Sequence, residues 1–426
     1  MAIAVIGLGK IGLPLAVQYA KKGKRVIGVD TNEGTVSKVN RGIEPFPGEE
    51  NLSVFLKEVT EKGHLFATSS YEVALMHADV IVIATPLLID HSNQPDFSIL
   101  DSVSQSIGQN IRKGTLVILE TTVPIGTTRN RLTKIIEKNS SFEAGKDFLV
   151  AFSPERVFTG RIFEDLKKYP KLVGGISEDS ALRAKEFYEN VLDFEERSDL
   201  KRKNGVWLMQ STEAAEFSKL AETTYRDVNI ALANQFAKHA SQLKLNIHEI
   251  LEASNSQPFS HIHTPGIWVG GHCIPVYPHL YVWTDESAKI VKVSREINES
   301  MASYAISKVE EEIGTLKDLN VLILGVGYRS GVKEVANSGA FFLRDKLELL
   351  ECRVTVFDDL YSENEISSLG LIPYTGEVNP EIIIIHTEQP SFSEQKLDVL
   401  KNARIIFDGR NWLSEKLEKQ FRILRI

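Results

Sequence analysis

Three glycines near the start of the chain have the spacing of a dinucleotide-binding loop. Gly7, Gly9 and Gly12 form the pattern G-x-G-x-x-G between an apolar run and an amphipathic segment. In such a loop the first glycine allows a tight turn, the second lets a pyrophosphate approach the backbone, and the third lets helix and strand pack closely. Asp30 ends the next apolar run, where a carboxylate binds ribose hydroxyls and repels a 2′-phosphate. We therefore predict NAD rather than NADP as the cofactor; the alternative is that the glycines serve only a turn.

A second segment with chemical potential is PGIWVGGHCIPVYP, in which Cys273 follows two glycines. A nucleophilic thiol needs room for a substrate and neighbouring donors that favour the thiolate over a thiol with a pKa of about 8.5. Cys352 lies in LLECRVTVF, a context typical of a buried, inert thiol. Two cysteines so far apart do not indicate a disulfide framework, and an inert thiol is the alternative for Cys273 as well.

Polar residues at predicted strand ends and on a helix complete the catalytic candidates. Glu155 follows Ser-Pro after one apolar run, and Thr121 and Thr122 follow another. These are carboxyl ends of strands, where α/β enzymes keep functional side chains. Lys219 lies beside the apolar face of a predicted helix. The alternatives are a helix-initial carboxylate for Glu155 and a snorkelling side chain for Lys219.

Histidines near the cysteine are the best candidates for metal ligands. His261 and His263 are followed, after eight residues, by His272 and Cys273. This spacing matches no zinc pattern that the chemistry of the site justifies. We therefore predict no metal site.

These residues need elements that position them, and the N-terminal sequence provides apolar runs separated by amphipathic segments. The alternation predicts buried parallel strands connected by helices. The runs are Ile3–Ile6, Arg25–Val29, Val80–Ala84, Leu116–Leu119 and Phe148–Phe152, and the segments include Leu13–Lys22 and Leu100–Ile111.

The middle of the chain predicts helices. A helical pattern covers residues 205–250 approximately, a turn-rich segment covers 254–278, and a second helical pattern covers 285–316 approximately. Alternating apolar runs return at Asn320. The sequence thus predicts the α/β class, with two doubly wound, Rossmann-like domains joined by a central helical domain.

The second α/β block begins with a loop that departs from the dinucleotide pattern. Gly325 and Gly327 follow its first strand, but Ser330 stands where a third glycine would be. From the residues alone, this loop holds either a different nucleotide or no ligand.

Composition excludes several classes of protein. The 426 residues are enough for two or three domains, and the usage of 42% hydrophobic and 25% charged residues is that of a globular protein. The net charge of −8 has the wrong sign for gripping a nucleic acid duplex. Apolar runs such as Ile382–Ile385 are too short to span a membrane, and no signal-peptide pattern precedes the first strand. We expect a cytoplasmic protein without a nucleic acid partner.

Seven segments together resemble the nucleotide-sugar 6-dehydrogenase family, which includes UDP-glucose and GDP-mannose dehydrogenases. The segments are GLGKIGLPLA, ATP at 84–86, ETTVPIGTT, SPERVFTG, AEFSKLAETTYRDVNIALANQFA, PGIWVGGHCIP and LGVGYRSGVKE. The resemblance implies an NAD-binding domain over residues 1–204, a central helical dimerisation domain with the cysteine loop over 205–304, and a UDP-sugar-binding domain over 305–426. It also implies a homodimer formed through the central helix.

The same resemblance implies two successive oxidations of a sugar C6 alcohol, each passing a hydride to NAD. Cys273 would add to the intermediate aldehyde, and oxidation of the thiohemiacetal would give a thioester that water hydrolyses. Lys219 would stabilise the developing oxyanion. Glu155 and Thr122 would hold the substrate and the hydrolytic water, and they could act in general-base catalysis.

Binding residues follow from the resemblance in the same way. The residues expected to bind the cofactor are Gly7, Gly9, Lys10, Ile11, Gly12, Asp30, Thr85, Pro86, Glu120 and Thr121. The residues expected to bind the UDP-sugar are Arg156, Thr223, Asn229, Gly270, His272 and Arg329.

Three departures from the family pattern leave alternatives open. Thr223 replaces an asparagine, Tyr277 replaces an aspartate, and the run VANSGA lacks a common arginine. A tyrosine with a pKa near 10 cannot act as a carboxylate base at neutral pH without a large shift. Either Thr122, Lys219 and water suffice, or the chemistry is altered.

The cysteine loop also bears on the substrate. The form GGHCIP, with His272, is similar to family members that act on UDP-N-acetylhexosamines, so UDP-N-acetylmannosamine or UDP-N-acetylglucosamine is the expected substrate. The alternatives are UDP-glucose, a dehydrogenase that uses Lys219 without Cys273, and a non-catalytic protein that binds nucleotide sugars.

Overall fold

The computed structural model describes residues 1–389 and 398–426. Within them the chain forms two compact units. The first contains Met1–Glu222 and His279–Thr284, and the second contains Thr223–Pro278 and Asp285–Ile426.

The strands of the described residues are short, as is usual in α/β proteins. They are β1 Ala2–Ile6, β2 Arg25–Val29, β3 Leu65–Thr68, β4 Val80–Ile83, β5 Leu88–Ile89, β6 Pro95–Asp96, β7 Leu116–Leu119, β8 Leu149–Phe152, β9 Lys171–Gly175, β10 Val206–Leu208, β11 Asn320–Leu324, β12 Arg353–Phe357, β13 Ile382–Ile385, β14 Ile405–Asp408 and β15 Ile423–Arg425.

The helices include two long ones in the middle of the chain. They are α1 Gly12–Lys21, α2 Glu33–Asn40, α3 Leu52–Glu61, α4 Tyr71–Leu75, α5 Ser98–Asn110, α6 Thr133–Ser140, α7 Ile162–Lys168, α8 Glu178–Val191, α9 Thr212–Gln242, α10 Ile247–Asn255, α11 Tyr277–Thr284, α12 Lys289–Ile313, α13 Gly339–Leu349 and α14 Glu363–Ser368.

The first unit is built on an eight-stranded sheet with the order β10-β9-β8-β7-β4-β1-β2-β3. Every residue of β4 and β7 is buried, because helices cover both faces of the sheet. The chain proceeds in opposite directions on the two sides of the β1–β4 pair. In doubly wound sheets, ligands bind beyond the carboxyl ends of the strands at such a switch point.

Strands β9 and β10 are the exceptions within this otherwise parallel sheet, because β9 runs antiparallel to β8 and β10 runs parallel to β9. Phe152 of β8 pairs with Gly174 of β9. The same register brings Glu155, three residues after Phe152, level with Lys171, three residues before Gly174. The start of β9 therefore lies at the carboxyl edge of the parallel strands.

The second unit contains a parallel sheet with the order β12-β11-β13-β14-β15. Its central strand β13 is a run of four buried isoleucines. Strands β11 and β13 flank the switch point of this sheet. Two doubly wound sheets and long helices between them in sequence confirm the predicted fold class.

Long helices occupy the middle of the chain, but the predicted limits were wrong at both ends of the first helical pattern. Residues 206–208 form β10, which pairs in parallel with β9. Helix α9 begins at Thr212 and ends at Gln242, because Lys244 adopts a left-handed backbone with φ 56°. Asn246 then caps α10 by accepting hydrogen bonds from two backbone N–H groups.

Polar side chains join α9 to α12 inside the second unit. The Arg295 Nη1 atom lies 2.7 Å from Asp227 Oδ1, and Asn298 Nδ2 donates to the same oxygen at 2.8 Å. Pairing of this kind is what a charged group needs when it is removed from water. Among the described residues, no helix is both long enough and apolar enough to cross a membrane.

Candidate active site

The glycine loop after β1 has the geometry that its spacing predicts. Gly7 has φ +90°, and a Cβ on Gly12 would lie 1.9 Å from the Gly7 carbonyl oxygen. Both positions therefore require glycine. A Cβ on Gly9 would meet no protein atom within 4 Å, so this position faces away from the protein. Lys10 and Ile11 follow it and lead into α1, whose N-terminus favours a phosphate.

Asp30 contacts this loop. Its Oδ2 atom accepts a hydrogen bond from the Leu8 N–H at 2.9 Å, and its Oδ1 atom accepts one from the Asn32 N–H at 2.8 Å. Sequence analysis missed Tyr71 nearby, where burial and the Asp30 charge raise the pKa of the hydroxyl to about 12. A carboxylate with two single-donor contacts retains lone pairs for ribose hydroxyls.

Residues after β4 form the other side of the switch point. The Thr85 hydroxyl oxygen is buried without a hydrogen-bond partner, whereas the Thr121 hydroxyl donates to the Thr85 carbonyl at 2.6 Å. Pro86 is exposed, and Thr122 is buried. Thr85 packs against the glycine loop, since a Cβ on Gly7 would lie 3.1 Å from Thr85 Cγ2, and a polar ligand bound there would satisfy the orphaned hydroxyl. The residues present therefore fit a dinucleotide.

Glu120, predicted to bind the cofactor, has its carboxylate inside the protein. Its Oε1 atom accepts hydrogen bonds from the hydroxyls of Tyr19 at 3.1 Å and Tyr188 at 2.6 Å. Its Oε2 atom accepts one from Lys171 Nζ at 2.9 Å. Burial raises the pKa of the Glu120 carboxyl. A cofactor contact from Glu120 would have to come from its backbone.

Lys171 is a buried cation that sequence analysis missed. Its Nζ atom donates to Glu155 Oε2 at 2.7 Å as well as to Glu120. Burial disfavours the ammonium charge, but the two glutamates outweigh burial and raise the pKa of Lys171. No local signal marks this lysine, because its partners depend on the antiparallel register of β9.

Glu155 is bound by this buried lysine and also lies within the influence of the Lys219 charge on α9. Its Oε1 atom accepts a hydrogen bond from the Arg156 N–H at 2.7 Å. Burial alone would raise the pKa of Glu155, but the Lys171 ammonium, the hydrogen bonds and the Lys219 charge outweigh it and lower that pKa. Glu155 is therefore an ionised carboxylate at neutral pH.

Lys219 and Arg156 share a second glutamate. Glu222 accepts hydrogen bonds from Lys219 Nζ at 3.2 Å and from Arg156 Nε at 2.8 Å. The first unit thus brings together three of the predicted residues, Glu155, Arg156 and Lys219, in a cluster of alternating charges. Such alternation compensates each charge locally.

In the second unit, the cysteine loop packs on the segment after β11. A Cβ on Gly270 would lie 2.7 Å from the Tyr328 Cβ atom, and the Gly271 N–H donates to the Ala336 carbonyl at 2.8 Å. Cys273 is half-buried, and its carbonyl accepts the N–H groups of Val276 and Tyr277. The loop therefore leads directly into α11, with Cys273 just ahead of the first turn.

The other predicted substrate residues of this unit differ in exposure. The His272 side chain is 61% exposed, and its Nε2 atom lies 3.6 Å from Glu334 Oε2. Arg329 is exposed beside Tyr328. Thr223 is buried on α9.

Asn229, also predicted to bind substrate, holds a loop of its own unit. Its Nδ2 atom donates to the His261 carbonyl at 3.1 Å and to the Tyr225 hydroxyl at 3.0 Å, and its Oδ1 atom accepts the His263 N–H at 2.9 Å. Asn234, one turn and a half further along α9, accepts the Gly266 N–H at 2.9 Å. The side-chain amides of Asn229 and Asn234 thus bind the backbone of the segment that precedes the cysteine loop. Sequence analysis missed Asn234.

The histidines and cysteines do not assemble into a metal centre. Within residues 1–389 and 398–426, no group of three or more His, Cys, Asp or Glu side chains could hold a metal ion. His261 is exposed, and burial lowers the pKa of His263. Cys352 is buried, as predicted; burial raises the pKa of its thiol to about 11, and its sulfur contacts the Leu316 carbonyl at 3.3 Å.

Comparison with known proteins decides the family. Models of the UDP-glucose/GDP-mannose dehydrogenase family match residues 1–192 as its NAD binding domain, 213–300 as its central domain and 322–415 as its UDP binding domain. The chain belongs to this family. It is therefore an NAD-dependent oxidoreductase of the nucleotide-sugar dehydrogenase type, and the predictions of recognition, enzyme class and cofactor are confirmed.

Relatives match this dehydrogenase over nearly its whole length. The UDP-N-acetyl-D-mannosamine dehydrogenase of Pyrococcus horikoshii is 34% identical over 424 residues, covering 97% of this chain and 96% of the relative. A solved structure of UDP-D-ManNAc dehydrogenase from Pyrococcus horikoshii has a TM-score of 0.85 at 32% identity, covering 100% of this chain and 99% of the other. A UDP-glucose dehydrogenase from Pyrobaculum islandicum has a TM-score of 0.86 at 25% identity, covering 99% and 97%.

The UDP binding domain of this dehydrogenase has a glycine loop closed by its own residues. Asp358 Oδ2 accepts the N–H groups of Val326 at 2.8 Å and Gly327 at 3.1 Å, together with Gln389 Nε2 at 3.0 Å. The Thr387 hydroxyl donates to the Gly327 carbonyl at 2.9 Å. These amides are therefore already paired, which removes the donors that a phosphate would need.

Proposed function

We propose that this dehydrogenase oxidises the C6 alcohol of UDP-N-acetyl-D-mannosamine to the carboxylate. The observation that carries the proposal is the 34% identity to a UDP-N-acetyl-D-mannosamine dehydrogenase along 97% of the chain. The TM-scores of 0.85 and 0.86 do not separate this substrate from UDP-glucose, because both relatives share the fold. The GGHCIP loop and the higher sequence identity favour the acetylated sugar.

The residues that would hold NAD are those of the first switch point. Gly7, Gly9 and Gly12 would admit the pyrophosphate, Asp30 would accept the ribose hydroxyls, and the Thr85 hydroxyl would find a partner. Lys10, Ile11, Pro86 and Thr121 would line the same ligand, with the backbone of Glu120. When bound, NAD accepts one hydride in each oxidation.

Cys273 would act as the nucleophile between the two oxidations. The first oxidation leaves an aldehyde, and the thiolate adds to its carbonyl carbon to form a thiohemiacetal. Loss of the remaining C6 hydride gives a thioester. Water then attacks the carbonyl carbon, the C–S bond breaks, and the uronate and the free thiol are released.

Lys219 would stabilise negative charge, and Glu155 would act as the general base. The Lys219 ammonium would stabilise negative charge developing on the C6 oxygen. The Glu155 carboxylate is ionised and only 10% exposed, as suits a base that accepts a proton from water, and Thr122 would orient that water. Tyr277 begins α11 and replaces the expected acid, so in this proposal Glu155 and Lys219 carry the acid–base work.

Substrate contacts divide into two kinds. His272, Gly270 and Arg329 would touch the nucleotide sugar directly, because their loops are exposed or require glycine. Arg156 and Asn229 already form hydrogen bonds within their own units. They would therefore position neighbouring residues that contact the substrate, in addition to any contact of their own. Thr223 would contribute its hydroxyl from α9.

The second copy of the chain in a proposed homodimer would cover an apolar stripe on α9. Tyr225, Leu232 and Phe236 lie on one face of the helix and are 57%, 44% and 41% exposed. The opposite face carries the buried Asp227 and Asn234. Light scattering should give twice the mass of one chain, and a variant with Leu232→Lys and Phe236→Lys should be monomeric. A monomeric native enzyme would contradict the dimer.

Three functional segments are proposed along the chain: residues 1–204 for NAD, 205–304 for dimerisation and the cysteine loop, and 305–426 for the UDP part. Strand β10 pairs with β9 of the first sheet just after the proposed end of the NAD segment. The cytoplasm is the proposed location, because NAD and nucleotide sugars are available there.

The test is a panel of UDP-sugars assayed for NADH formation. The highest kcat/KM should be found with UDP-N-acetylmannosamine, and Cys273→Ser should lose acid production. Cys352→Ser is the matched control and should retain turnover, because that thiol is buried away from any predicted site residue. A preference for UDP-glucose would favour the second candidate substrate, and no turnover on any UDP-sugar would favour a binding protein.

A further inference from the structure

We propose that Lys171 is a positioning residue that fixes the orientation and the charge of the Glu155 carboxylate. This inference rests on the proposed role of Glu155 as the base. Lys171 itself reaches no exposed surface, since its side chain is only 5% exposed. Of its two carboxylate partners, Glu155 is the one with a proposed catalytic side chain, so Lys171 would act on the reaction through Glu155.

The geometry of Lys171 is determined by the sheet. It begins β9, and the antiparallel register with β8 brings it level with Glu155. The Nζ atom lies 2.7 Å from Glu155 Oε2 and 2.9 Å from Glu120 Oε2. One oxygen of the Glu155 carboxylate thus accepts a hydrogen bond from a buried cation, and the other accepts one from the Arg156 N–H.

Exposure increases from one end of this group to the other. Glu120 is 1% exposed, Lys171 5% and Glu155 10%. Glu120 is also held by two phenol hydroxyls, from Tyr19 and Tyr188, so it forms a fixed anchor in the interior. Lys171 connects this anchor to the one carboxylate of the group that approaches the solvent side.

Charge compensation gives Lys171 a role beyond packing. The groups whose charges or hydroxyls act on this cluster are Lys171, Glu120, Lys219, Glu222, Tyr19 and Tyr188. Without Lys171, Glu155 would lie in a buried site near another carboxylate, with Lys219 as the remaining cation that acts on it. Burial would then favour the protonated form of Glu155, which cannot act as a base.

The test compares Lys171→Met with Lys171→Arg, and with Lys146→Met as a surface control. Lys171→Met should lower kcat about a hundredfold or more, because general-base catalysis contributes factors of about 10² to 10⁴. KM for the UDP-sugar should change less than threefold, and the acidic limb of the kcat profile should move to higher pH. Lys171→Arg should restore most of kcat and the position of the limb, since it keeps the charge.

A readout independent of turnover separates this inference from the proposed function. In protein labelled with ¹³C at glutamate carboxyls, the Glu155 signal, assigned through Glu155→Gln, should titrate at higher pH in Lys171→Met than in the native enzyme. A native enzyme inactive on every UDP-sugar would overturn the function, yet leave this titration to be measured.

Several outcomes would overturn the role of Lys171. One is an unchanged Glu155 titration and acidic limb in a folded Lys171→Met. Another is an equal loss of kcat in Lys171→Arg with an unshifted limb, which would indicate a packing role. If Lys171→Met does not fold, Lys171→Gln gives the same decision: it removes the charge but keeps a polar group, so the limb should move to higher pH, and an unmoved limb would overturn the role.

Discussion

Two glycine loops in this molecule follow the first strand of a doubly wound sheet, one after β1 and one after β11, and they differ in what their amides bind. In the first loop, Asp30 accepts a single loop N–H, that of Leu8. In the second, Asp358 accepts two loop N–H groups and a glutamine side chain. Asp358 therefore occupies two amides of the second loop, whereas Asp30 occupies one amide of the first.

The threonines across the two switch points repeat the contrast. Thr85 keeps a buried hydroxyl without a partner, while Thr387 donates its hydroxyl to Gly327. The same sheet topology therefore has two different roles in this molecule. An open switch point binds a dinucleotide, whereas a closed one stabilises the sheet, and ligand recognition in the second domain must use other donors.

Steric requirements at the two loops should give the largest effects. A Cβ on Gly12 would lie 1.9 Å from the Gly7 oxygen, and one on Gly325 would lie 2.2 Å from the Thr387 oxygen. Gly12→Ala and Gly325→Ala should each lower the free energy of unfolding by about 3 kcal/mol or more, measured by urea denaturation. The comparison would fail at either loop whose variant remains within about 0.5 kcal/mol of the native protein.

Substitution of the two aspartates should affect different properties: mainly stability at the second loop, and cofactor preference at the first. Asp358→Ala leaves four donors without an acceptor, including the Leu360 N–H, and should cost about 3 kcal/mol of unfolding free energy. Asp30→Ala should cost about 1 to 2 kcal/mol and should allow turnover with NADP. Unfolding curves of the two variants, and their KM values for NAD and NADP, test these two predictions. A fully stable Asp358→Ala would show that the second loop is not held by its carboxylate.

The closed switch point should also be sensitive to acid. His386 is fully buried, and burial with the nearby Arg410 charge lowers the pKa of its imidazole to about 3. A depressed histidine pKa contributes stability above the unfolded value of about 6.5, and this is lost as the pH falls toward 3. Unfolding free energy should therefore be about 2 kcal/mol lower at pH 5 than at pH 7 because of this group.

The matched variant for this prediction is His386→Gln, which cannot titrate. Its unfolding free energy should fall less between pH 7 and pH 5 than that of the native protein. Parallel curves for the two proteins would mean that His386 is not the acid-sensitive group.

Gly9 should give the smallest effect and the most specific one. A Cβ there meets no protein atom within 4 Å, so Gly9→Ala should unfold like the native protein. The methyl group would nevertheless occupy the approach of the pyrophosphate, and KM for NAD should rise about tenfold. Steady-state kinetics measure this change; an unaltered KM would argue that the first loop does not face the phosphates.

Local spacing allowed much of this to be predicted from the sequence. The glycines, Asp30 and the paired α/β pattern depend on the strand–loop–helix pattern, which sequence periodicity reports directly, whereas Thr85 was predicted from the resemblance to the family. Asp358 directly follows β12 as Asp30 directly follows β2, but the sequence cannot tell whether such a carboxylate faces a ligand or its own loop.

Residues that depend on register could not be found in this way. Lys171 meets Glu155 and Glu120 because β9 is antiparallel to β8, and no motif announces that pairing. Strand β10 was missed because three residues after a run of basic ones carry too little pattern. Asn234 was missed because its partner, Gly266, is 32 residues further along the chain.

The most direct test of the account is the number of NADH molecules formed per UDP-N-acetylmannosamine consumed. The native enzyme should form two NADH and release the uronic acid, as a C6 alcohol oxidised through a Cys273 thioester requires. A single NADH per sugar, with an aldehyde product, would contradict the thioester route, and no NADH from any UDP-sugar would contradict the function itself.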